Sequence, residues 1–342
     1  MTPGYTVVIP TAGRPSLFRL LADLAVQRGG PPPHVVVVDD RPGEHSGLEV
    51  RLGRLAPRLV RSGGGGPAAA RNLGWRAADT EWVAFLDDDV SVDDGWTERL
   101  AADLGACGDD VAGCQGRIRV PLPRHRPPTD AERNTARLES AAWITADMAY
   151  RRDALKRSGG FDERFPRAYR EDAELALRLQ RAGWRLARGE RVTVHPVRDG
   201  GTWASVRAQA GNADDALMRR LHGPRWRTAA GAPAGRLPMH LVTTASAATT
   251  AVAGLLGARR AAVAAALVWA GLTAQFAWHR IRSGPATAPE VGRMVATSIA
   301  IPPAAVAHRL LGTWRCRHVS QGSRVSPVSR ASQAPPGPRG RR

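Results

Sequence analysis

The sequence predicts an α/β fold in which helices flank a mostly parallel sheet, followed by a helical C-terminal region. Short β-branched runs alternate with helical periodicity over the first hundred residues, which is typical of parallel sheets. Three of these runs end in polar side chains, at Thr11, at Asp39–Asp40 and at Asp87–Asp89. Ligands of such sheets bind beyond the carboxyl ends of the strands, so these three groups are predicted to lie on one rim.

The elements of the first two thirds follow in order from local patterns. Predicted strands cover residues 5–10, 34–38 and 82–86, each an apolar run rich in β-branched residues or bounded by carboxylates. Helical periodicity predicts a first helix over residues 15–28. A second helix is predicted to begin at Pro67, after the glycine-rich segment 62–66, because proline is favoured in the first turn. Residues 171–181 are predicted to form a third helix, which ends before Gly183. The segment 121–137, rich in proline and arginine, reads as a surface loop.

Charge divides the 342-residue chain into unequal parts. The net charge is +18, of which residues 223–342 carry +15 through sixteen arginines and one acid, Glu290. Residues 1–222 carry only +3, and 43% of the chain is hydrophobic, which excludes wholesale disorder. We therefore predict a globular domain over 1–222, a helical, membrane-associated region over 223–319 and a disordered basic tail over 320–342.

Cysteine usage and the N-terminus indicate a reducing compartment. Cys107, Cys114 and Cys316 are too few and too scattered for a disulfide framework or a four-ligand zinc site, so we expect reduced thiols. Residues 1–10 lack the basic and apolar regions of a secretory signal.

The segment FLDDDV, residues 85–90, is the first candidate site. Three successive carboxylates repel one another unless a cation neutralises them, and oxygen ligands suit Mg²⁺ or Mn²⁺. Because alternate side chains of an extended segment point the same way, Asp87 and Asp89 share a face. The alternative is a solvated acidic loop that caps the next helix.

Three further groups have both a functional and a structural interpretation. Asp39 or Asp40 could accept hydrogen bonds from a base or ribose, or simply mark the end of a strand. Arg71, near a helix start, suits a diphosphate, but a helix-surface arginine would look the same. Glu171 and Asp172 stand at a helix N-terminus, where they could serve as a general base or only as capping charges.

Six segments in order resemble the family 2 glycosyltransferases of the GT-A fold, and the resemblance covers residues 5–200. They are IPTAGR, VVVVDD, ARNLG, FLDDDV, GGFDE and ED-x-x-L-x-x-R. The resemblance implies a Rossmann-like GT-A domain that transfers a sugar from a nucleotide-diphosphate donor to an acceptor hydroxyl, with Mg²⁺ or Mn²⁺ and with inversion.

The resemblance also implies roles for individual residues. On the donor side it implies that Thr11, Arg14, Asp39 and Asp40 bind the nucleotide and that Arg71 contacts the phosphates. Asp87 to Asp89 resemble the Asp-x-Asp motif, and the resemblance implies that Asp87 and Asp88 contribute to donor binding. It further implies that Asp89, with Asp87 and His195, ligates the metal, that Asp172 is the catalytic base beside Glu171, and that Thr145, Ala146 and Asp147 form the acceptor side. A histidine after an apolar strand, such as His195, is also often structural. One departure is Arg41–Pro42, where the family usually has Gly-Ser, which implies an altered nucleotide choice.

The C-terminal third contains two uncharged runs of near-spanning length, residues 241–257 and 261–278. A third run, 294–307, contains two prolines and is shorter. Arginines before and after the first two runs fit a cytoplasmic location of the catalytic domain, whereas Arg259 and Arg260 between them do not. We expect membrane association at the cytoplasmic face, either as a two-helix hairpin or as helices on the bilayer surface. The alternative is a soluble helical subdomain.

Three other functions were weighed against the glycosyltransferase. A nucleotidyltransferase of related fold would use similar carboxylates, but the GGFDE and ED-x-x-L-x-x-R segments favour sugar transfer. A nucleic-acid-binding protein would use the basic third, yet its charge is interleaved with apolar runs and carries no recognised module, so we expect no nucleic-acid partner. The third alternative is an inactive family member that only binds ligand.

Overall fold

The computed structural model describes residues 3–28, 32–43, 48 and 55–319. Over this part of the chain, eight strands form one sheet in the order β3-β2-β1-β4-β7-β6-β8-β5. The strands are β1 (Tyr5–Thr11), β2 (His34–Asp39), β3 (Arg58–Arg61), β4 (Trp82–Leu86), β5 (Ser91–Val92), β6 (Val111–Arg119), β7 (Asp147–Arg151) and β8 (Arg185–Val194).

Twelve α-helices occur among the described residues. They are α1 (Ser16–Ala25), α2 (Pro67–Ala77), α3 (Trp96–Gly105), α4 (Asp130–Ala136), α5 (Arg152–Ser158), α6 (Glu171–Arg181), α7 (Ala204–Arg207), α8 (Gly211–His222), α9 (Trp226–Ala229), α10 (Leu237–Leu255), α11 (Arg259–Ile281) and α12 (Ala288–Arg315). The three strands and three helices predicted from the sequence are present.

The sheet is parallel in its first half and mixed in its second. β1 pairs in parallel with both β2 and β4, and β2 pairs in parallel with β3. β7 runs antiparallel to both β4 and β6, while β6 pairs in parallel with β8. The predicted α/β sheet with parallel strands β1, β2 and β4 is confirmed, and their carboxyl ends share one edge.

Alternate residues of the strands fill two cores, one on each face of the sheet. Val7 and Ile9 of β1 pack on the face covered by α1 and α3, together with the leucines of α1. Val8 packs on the opposite face, which α2, α5 and α6 cover. Because both faces are buried, the strands read as continuous apolar runs rather than as an alternating pattern.

The C-terminal helices pack on one another and on the preceding domain. α10 contacts α11 and α12, and α12 also contacts α7 and α8. The run 294–307 lies inside α12, which extends to 28 residues through Pro302 and Pro303. Both prolines cost the helix backbone hydrogen bonds, but burial of Ile301, Pro302 and Ala305 supports the helix there.

Over the described residues, α11 and α12 are the helices long and apolar enough to cross a membrane by length and composition. The sequence predicted two runs of near-spanning length, residues 241–257 and 261–278. The second lies in α11 and meets that test, whereas the first lies mostly in α10, which does not. The third, shorter run lies in α12, which is longer than predicted because its two prolines do not end the helix. The predicted tail, 320–342, lies outside the described residues.

Candidate active site

The loop after β1 is held by the middle residue of the acidic triplet. The Thr11 hydroxyl donates to Oδ2 of Asp88 at 2.6 Å, and Nη1 of Arg14 donates to Oδ1 of Asp88 at 2.6 Å. Thr11 also accepts a hydrogen bond from the Gly13 backbone N–H. Asp88 is only 1% exposed, so its carboxylate faces the protein and fixes the shape of this loop.

Asp87, Asp89 and His195 form a candidate metal centre. One ligand atom from each of the three lies within 4.8 Å of the others. Nε2 of His195 is 3.8 Å from Oδ1 of Asp89, and Nδ1 of His195 is 3.1 Å from the Pro196 carbonyl oxygen. When Nδ1 carries the proton and donates to that carbonyl, Nε2 of the neutral ring is unprotonated. The Nε2 lone pair then points toward the carboxylates of Asp87 and Asp89. Three converging acceptors fit a divalent cation, as the sequence predicted for this residue set.

The charge at Asp89 is costly without a cation. Burial and the neighbouring Asp87 carboxylate raise the pKa of Asp89, although His195 and Arg198 oppose that shift. Nε of Arg198 lies 2.8 Å from Oδ2 of Asp89. Arg198 was not predicted from the sequence, because a single arginine three residues after His195 in an irregular segment carries no periodic signal.

Arg71 joins the candidate metal centre to the carboxylates of α6. Its Nη2 donates to Oδ1 of Asp87 at 2.9 Å and its Nη1 donates to Oε1 of Glu171 at 2.7 Å. The side chain is 2% exposed and its guanidinium lies 5.7 Å from the ring centroid of Phe161. A phosphate contact predicted for Arg71 would therefore have to share this guanidinium with two carboxylates.

Glu171 and Asp172 begin α6 and both hold protons more tightly than ordinary carboxylates. Burial, then the adjacent Asp172 charge, raises the pKa of Glu171 to about 8, against the opposing effect of Arg71. Burial also raises the pKa of Asp172, although the Ala173 N–H donates to its Oδ1 and Arg71 and Arg170 lie nearby. Carboxylates with raised pKa values suit proton transfer near neutral pH.

Asn72 fastens the segment before α6 to α2. Its Nδ2 donates to the Phe161 carbonyl at 2.9 Å, and its Oδ1 accepts from the Phe161 N–H at 2.9 Å. Nδ2 also donates to Oε1 of Glu163 at 2.7 Å. This pairing explains why the ARNLG and GGFDE segments occur together: one supplies the side chain that anchors the other.

Asp39 and Asp40 are both bound to protein groups at the end of β2. Asp39 accepts from Nε and Nη2 of Arg41 at 2.8 and 2.7 Å, and that guanidinium holds the pKa of Asp39 below its usual range. Oδ1 of Asp40 accepts from the Ser62 hydroxyl at 2.6 Å and from the Gly66 N–H at 3.2 Å. Arg41, which stands where the family usually has glycine, is thus a direct neighbour of the predicted base-binding carboxylate.

Asp147, which was predicted on the acceptor side, lies among buried structural partners. Its side chain is fully buried on the α3 face of the sheet, opposite α6. Its carboxylate accepts from Nε of Arg191 at 2.7 Å, from the Thr193 hydroxyl at 2.6 Å and from Nε1 of Trp96 at 3.0 Å. In this structure Asp147 is the buried partner of Arg191.

Thr145 and Ala146 lie just before β7, which pairs with β4 so that Asp147 stands opposite Leu86. Both residues are therefore beside the start of the acidic triplet. Their side chains are buried, at 3% and 4% exposed. An acceptor would therefore contact this segment through its backbone, or through these side chains only after the segment moves.

Most of the residues that build this site fall within a match to a known protein family. A sequence model of the family described as "Glycosyl transferase family 2" matches residues 6–173. The chain carries a family 2 glycosyltransferase domain. The matched span runs from β1 through Asp172, so it contains the acidic triplet, Arg71 and the start of α6.

Curated relatives match over about the same part of the chain. The "Pre-mycofactocin glycosyltransferase" of Mycobacterium tuberculosis is 32% identical over 212 residues, covering 53% of this chain and 40% of that protein. The "Hyaluronan synthase" of Pasteurella multocida is 26% identical over 225 residues, covering 53% of this chain and 23% of that protein. The chain thus spans less than half the length of these relatives.

A solved structure resembles the fold over most of the chain. The mannosyltransferase PcManGT from Pyrobaculum calidifontis, in complex with GDP-Man and Mn²⁺, superposes with a TM-score of 0.54 at 20% identity. The superposition covers 92% of this chain and 88% of that one. The fold of the first domain is GT-A, as the six segments predicted.

Proposed function

We propose that this chain transfers a sugar from a nucleotide-diphosphate donor to an acceptor hydroxyl, with Mg²⁺ or Mn²⁺ and with inversion at the anomeric carbon. One observation carries the proposal: buried Arg71 connects the Asp87–Asp89–His195 cluster to Glu171 and Asp172. A donor-side centre and an acceptor-side pair of carboxylates therefore belong to one site. The glycosyltransferase names of the curated relatives support this over the nucleotidyltransferase alternative.

The donor side has the residues to hold a diphosphate. Asp87, Asp89 and His195 would bind the divalent cation, which supplies charge neutralisation for the leaving diphosphate. Asp88, bound to Thr11 and Arg14, keeps the loop after β1 beside that centre. The Asp39–Arg41 pair at the end of β2 is placed to contact the base, and it supports the expectation that nucleotide choice departs from that of relatives with glycine at position 41.

The acceptor side has a carboxylate, Asp172, whose pKa is raised by burial. We assign Asp172 as the group that removes the proton from the acceptor hydroxyl, which then attacks the anomeric carbon from the face opposite the leaving diphosphate. Glu171, bound to Arg71, keeps that arginine between the two halves of the site. A single displacement of this kind inverts the configuration.

Nucleotide binding tests the donor half of the proposal. We would titrate UDP, GDP, ADP and TDP calorimetrically into wild type and into Asp89→Ala, with Mn²⁺ and then with EDTA. The expected result is metal-dependent binding of one nucleotide that Asp89→Ala abolishes. A folded wild-type protein that binds no nucleotide under any of these conditions would contradict the proposal and favour an inactive family member.

We further propose that the C-terminal helices hold the enzyme at the cytoplasmic face of a membrane. Leu255 and Leu256, at the turn between α10 and α11, are 88% and 78% exposed, and Arg259 and Arg260 follow directly. Apolar side chains beside arginines suit insertion at an anionic headgroup layer. The contacts of α12 with α7 and α8 favour attachment at the surface over a bundle of spanning helices.

Vesicle flotation tests the attachment. The wild type should float with vesicles containing phosphatidylglycerol and should float less with phosphatidylcholine alone, and the double variant Leu255→Ser, Leu256→Ser should bind less to both. Alkaline carbonate should release a surface-bound protein, whereas retention would indicate a spanning hairpin. Recovery of the intact wild type in the salt-washed soluble fraction would contradict membrane attachment altogether.

A further inference from the structure

We propose that Asp215 of α8, through Arg170, positions the first turn of α6 and with it the carboxylate assigned as the base. Arg170 and Asp215 are positioning residues in this proposal, since neither is assigned a contact with substrate. The inference rests on the proposed function, because it assigns a support to the catalytic carboxylate. The inference goes beyond the proposed function because it links the site to the C-terminal helices.

The backbone at Arg170 is in an unfavourable conformation. Arg170 precedes Glu171 as the N-cap of α6, with φ 79° and ψ −17°, which is the left-handed region. Glycine usually takes this conformation, because a Cβ atom crowds the backbone there. A long side chain persists in it only where the surroundings hold the residue in place. The peptide that enters α6, and therefore the direction of Glu171 and Asp172, depends on that support.

The support comes from the side chain of Arg170. Its Nε donates to Oδ1 of Asp215 at 2.9 Å. Its guanidinium stacks 4.3 Å from the ring centroid of Tyr169 and 4.9 Å from that of Trp226. Asp215 is 4% exposed and also accepts from Arg227, so its carboxylate is fixed from two sides.

The helix that carries Asp215 is itself held by close backbone approaches. A Cβ atom added at Gly312 of α12 would lie 2.5 Å from Cα of Ala213, so α12 and α8 touch along their backbones. A Cβ atom added at Gly211 would lie 2.6 Å from Cε1 of Tyr169. The chain of contacts therefore runs from α12 through α8 and Arg170 to the first turn of α6.

Arg170 also contributes to the charge environment of Asp172. Arg170 and Arg71 favour the ionised carboxylate, whereas Asp87 opposes it. Glu171 and the buried Tyr150 hydroxyl are the other titratable groups that interact with Asp172. Release of Arg170 should move one of the two cations, so the protonation of Asp172 reports on the position of Arg170.

The experiment compares Asp215→Asn with Asp214→Asn. Asp214 is the adjacent buried carboxylate of α8, and it pairs with Arg167 at 2.7 Å instead of with Arg170. Asp215→Asn should lower kcat by about ten- to a hundredfold with little change in donor KM, since small misplacement of a reacting group has effects of that size. It should also shift the acidic limb of the kcat–pH profile to higher pH. Asp214→Asn should leave both the profile and most of kcat in place.

Hydrogen exchange supplies a readout that does not depend on transfer. Asp215→Asn should speed exchange in the first turn of α6 over residues 171–175, and Asp214→Asn should not. The proposal would be overturned if the two variants lost kcat equally. It would also be overturned if Asp215→Asn showed faster exchange but an unchanged pH profile. An inactive wild type would instead contradict the proposed function, and the exchange comparison would still decide whether Asp215 holds α6.

Discussion

Arg71 is the residue on which both halves of the site depend. It donates a hydrogen bond to Glu171 on one side and to Asp87 on the other, and its side chain is only 2% exposed. A lysine places a single ammonium on a flexible stem and cannot donate along two fixed directions in the same way. We therefore expect that a positive charge at position 71 is not sufficient to hold both carboxylates.

Arg71→Lys should therefore lower transfer, by about ten- to a hundredfold in kcat/KM, because one carboxylate loses its fixed donor. Steady-state kinetics measure the change. Arg76→Lys, on the exposed side of the same helix, is the matched control and should stay near wild type. Equal activities of the two variants would show that Arg71 acts only through its charge.

Asp172→Asn should abolish transfer while donor nucleotide binding stays nearly intact, because the amide keeps the shape of the carboxylate but cannot accept the proton. Turnover assays and calorimetry on the same preparation measure the two properties. Near-wild-type turnover in the purified variant would show that another group is the base.

Glu171 makes the stability of the fold depend on pH. Its pKa is raised to about 8 in the folded state, so the fold favours the protonated form. Folded-state stabilisation is then greatest below the ordinary glutamate pKa and declines as pH rises from about 4.5 toward about 8. The thermal midpoint of Glu171→Gln should decline less than that of the wild type across this interval. Parallel curves for the two proteins would show that Glu171 does not titrate there.

At the scale of elements, the packing of α2 on the sheet sets the position of Arg71. A Cβ atom added at Gly74 would lie 2.3 Å from Cγ1 of Val8 and 3.1 Å from Cγ2 of Val38, so a glycine is needed where α2 crosses β1 and β2. Arg71 lies one turn earlier on the same helix. Any displacement of α2 therefore moves the guanidinium away from its two carboxylates.

Gly74→Ala should lower the free energy of unfolding by about 1–3 kcal/mol, since overpacking forces backbone shifts, and should lower transfer in parallel. Urea unfolding measures the first effect. Gly271→Ala is the control: this helical position has nothing within 4 Å of the added Cβ, so the change should stabilise by about 0.5–1 kcal/mol. Destabilisation of the same size in both variants would contradict the close-approach argument.

Sequence patterns predict those parts of the site that depend on single strands and helices. The carboxylates after β4 and the side chains after β1 and β2 were predicted to share a rim, and the parallel pairing of these strands confirms it. The hydrogen bond from Arg71 to Glu171 joins residues a hundred positions apart, and local hydrophobic periodicity in the sequence cannot indicate such a contact. The burial of Asp147 was not predicted for a related reason. Which face of β7 its side chain takes depends on Trp96, Arg191 and Thr193 from other elements.

At the scale of the whole molecule, a buried polar cluster holds the C-terminal helices to the catalytic domain. Arg280 of α11 donates to Oδ2 of Asp130 at 2.8 Å and to the Thr297 hydroxyl of α12 at 2.8 Å. It also donates to the Ser205 hydroxyl of α7 at 3.1 Å. Elements from three parts of the chain therefore share one guanidinium.

Arg280→Ala should destabilise the protein by about 1–3 kcal/mol, because Asp130, Thr297 and Ser205 lose the donor that they share. Urea unfolding and limited proteolysis between α11 and α12 measure the loss. Arg282→Ala removes a nearby exposed arginine and should change stability little. A small effect at Arg280, equal to that at Arg282, would show that the cluster does not fasten the helices.

The two edges of the sheet bear on how copies of the protein behave at high concentration. β3, at one edge, is four residues long and has arginine at both ends, and β5, at the other edge, has two residues. Short, charged edge strands are poor templates for strand addition by another chain. Aggregation through cross-strand pairing is therefore disfavoured. Self-association during purification should instead involve the exposed apolar side chains of α10 and α11, so mild detergent rather than added salt should keep the protein dispersed.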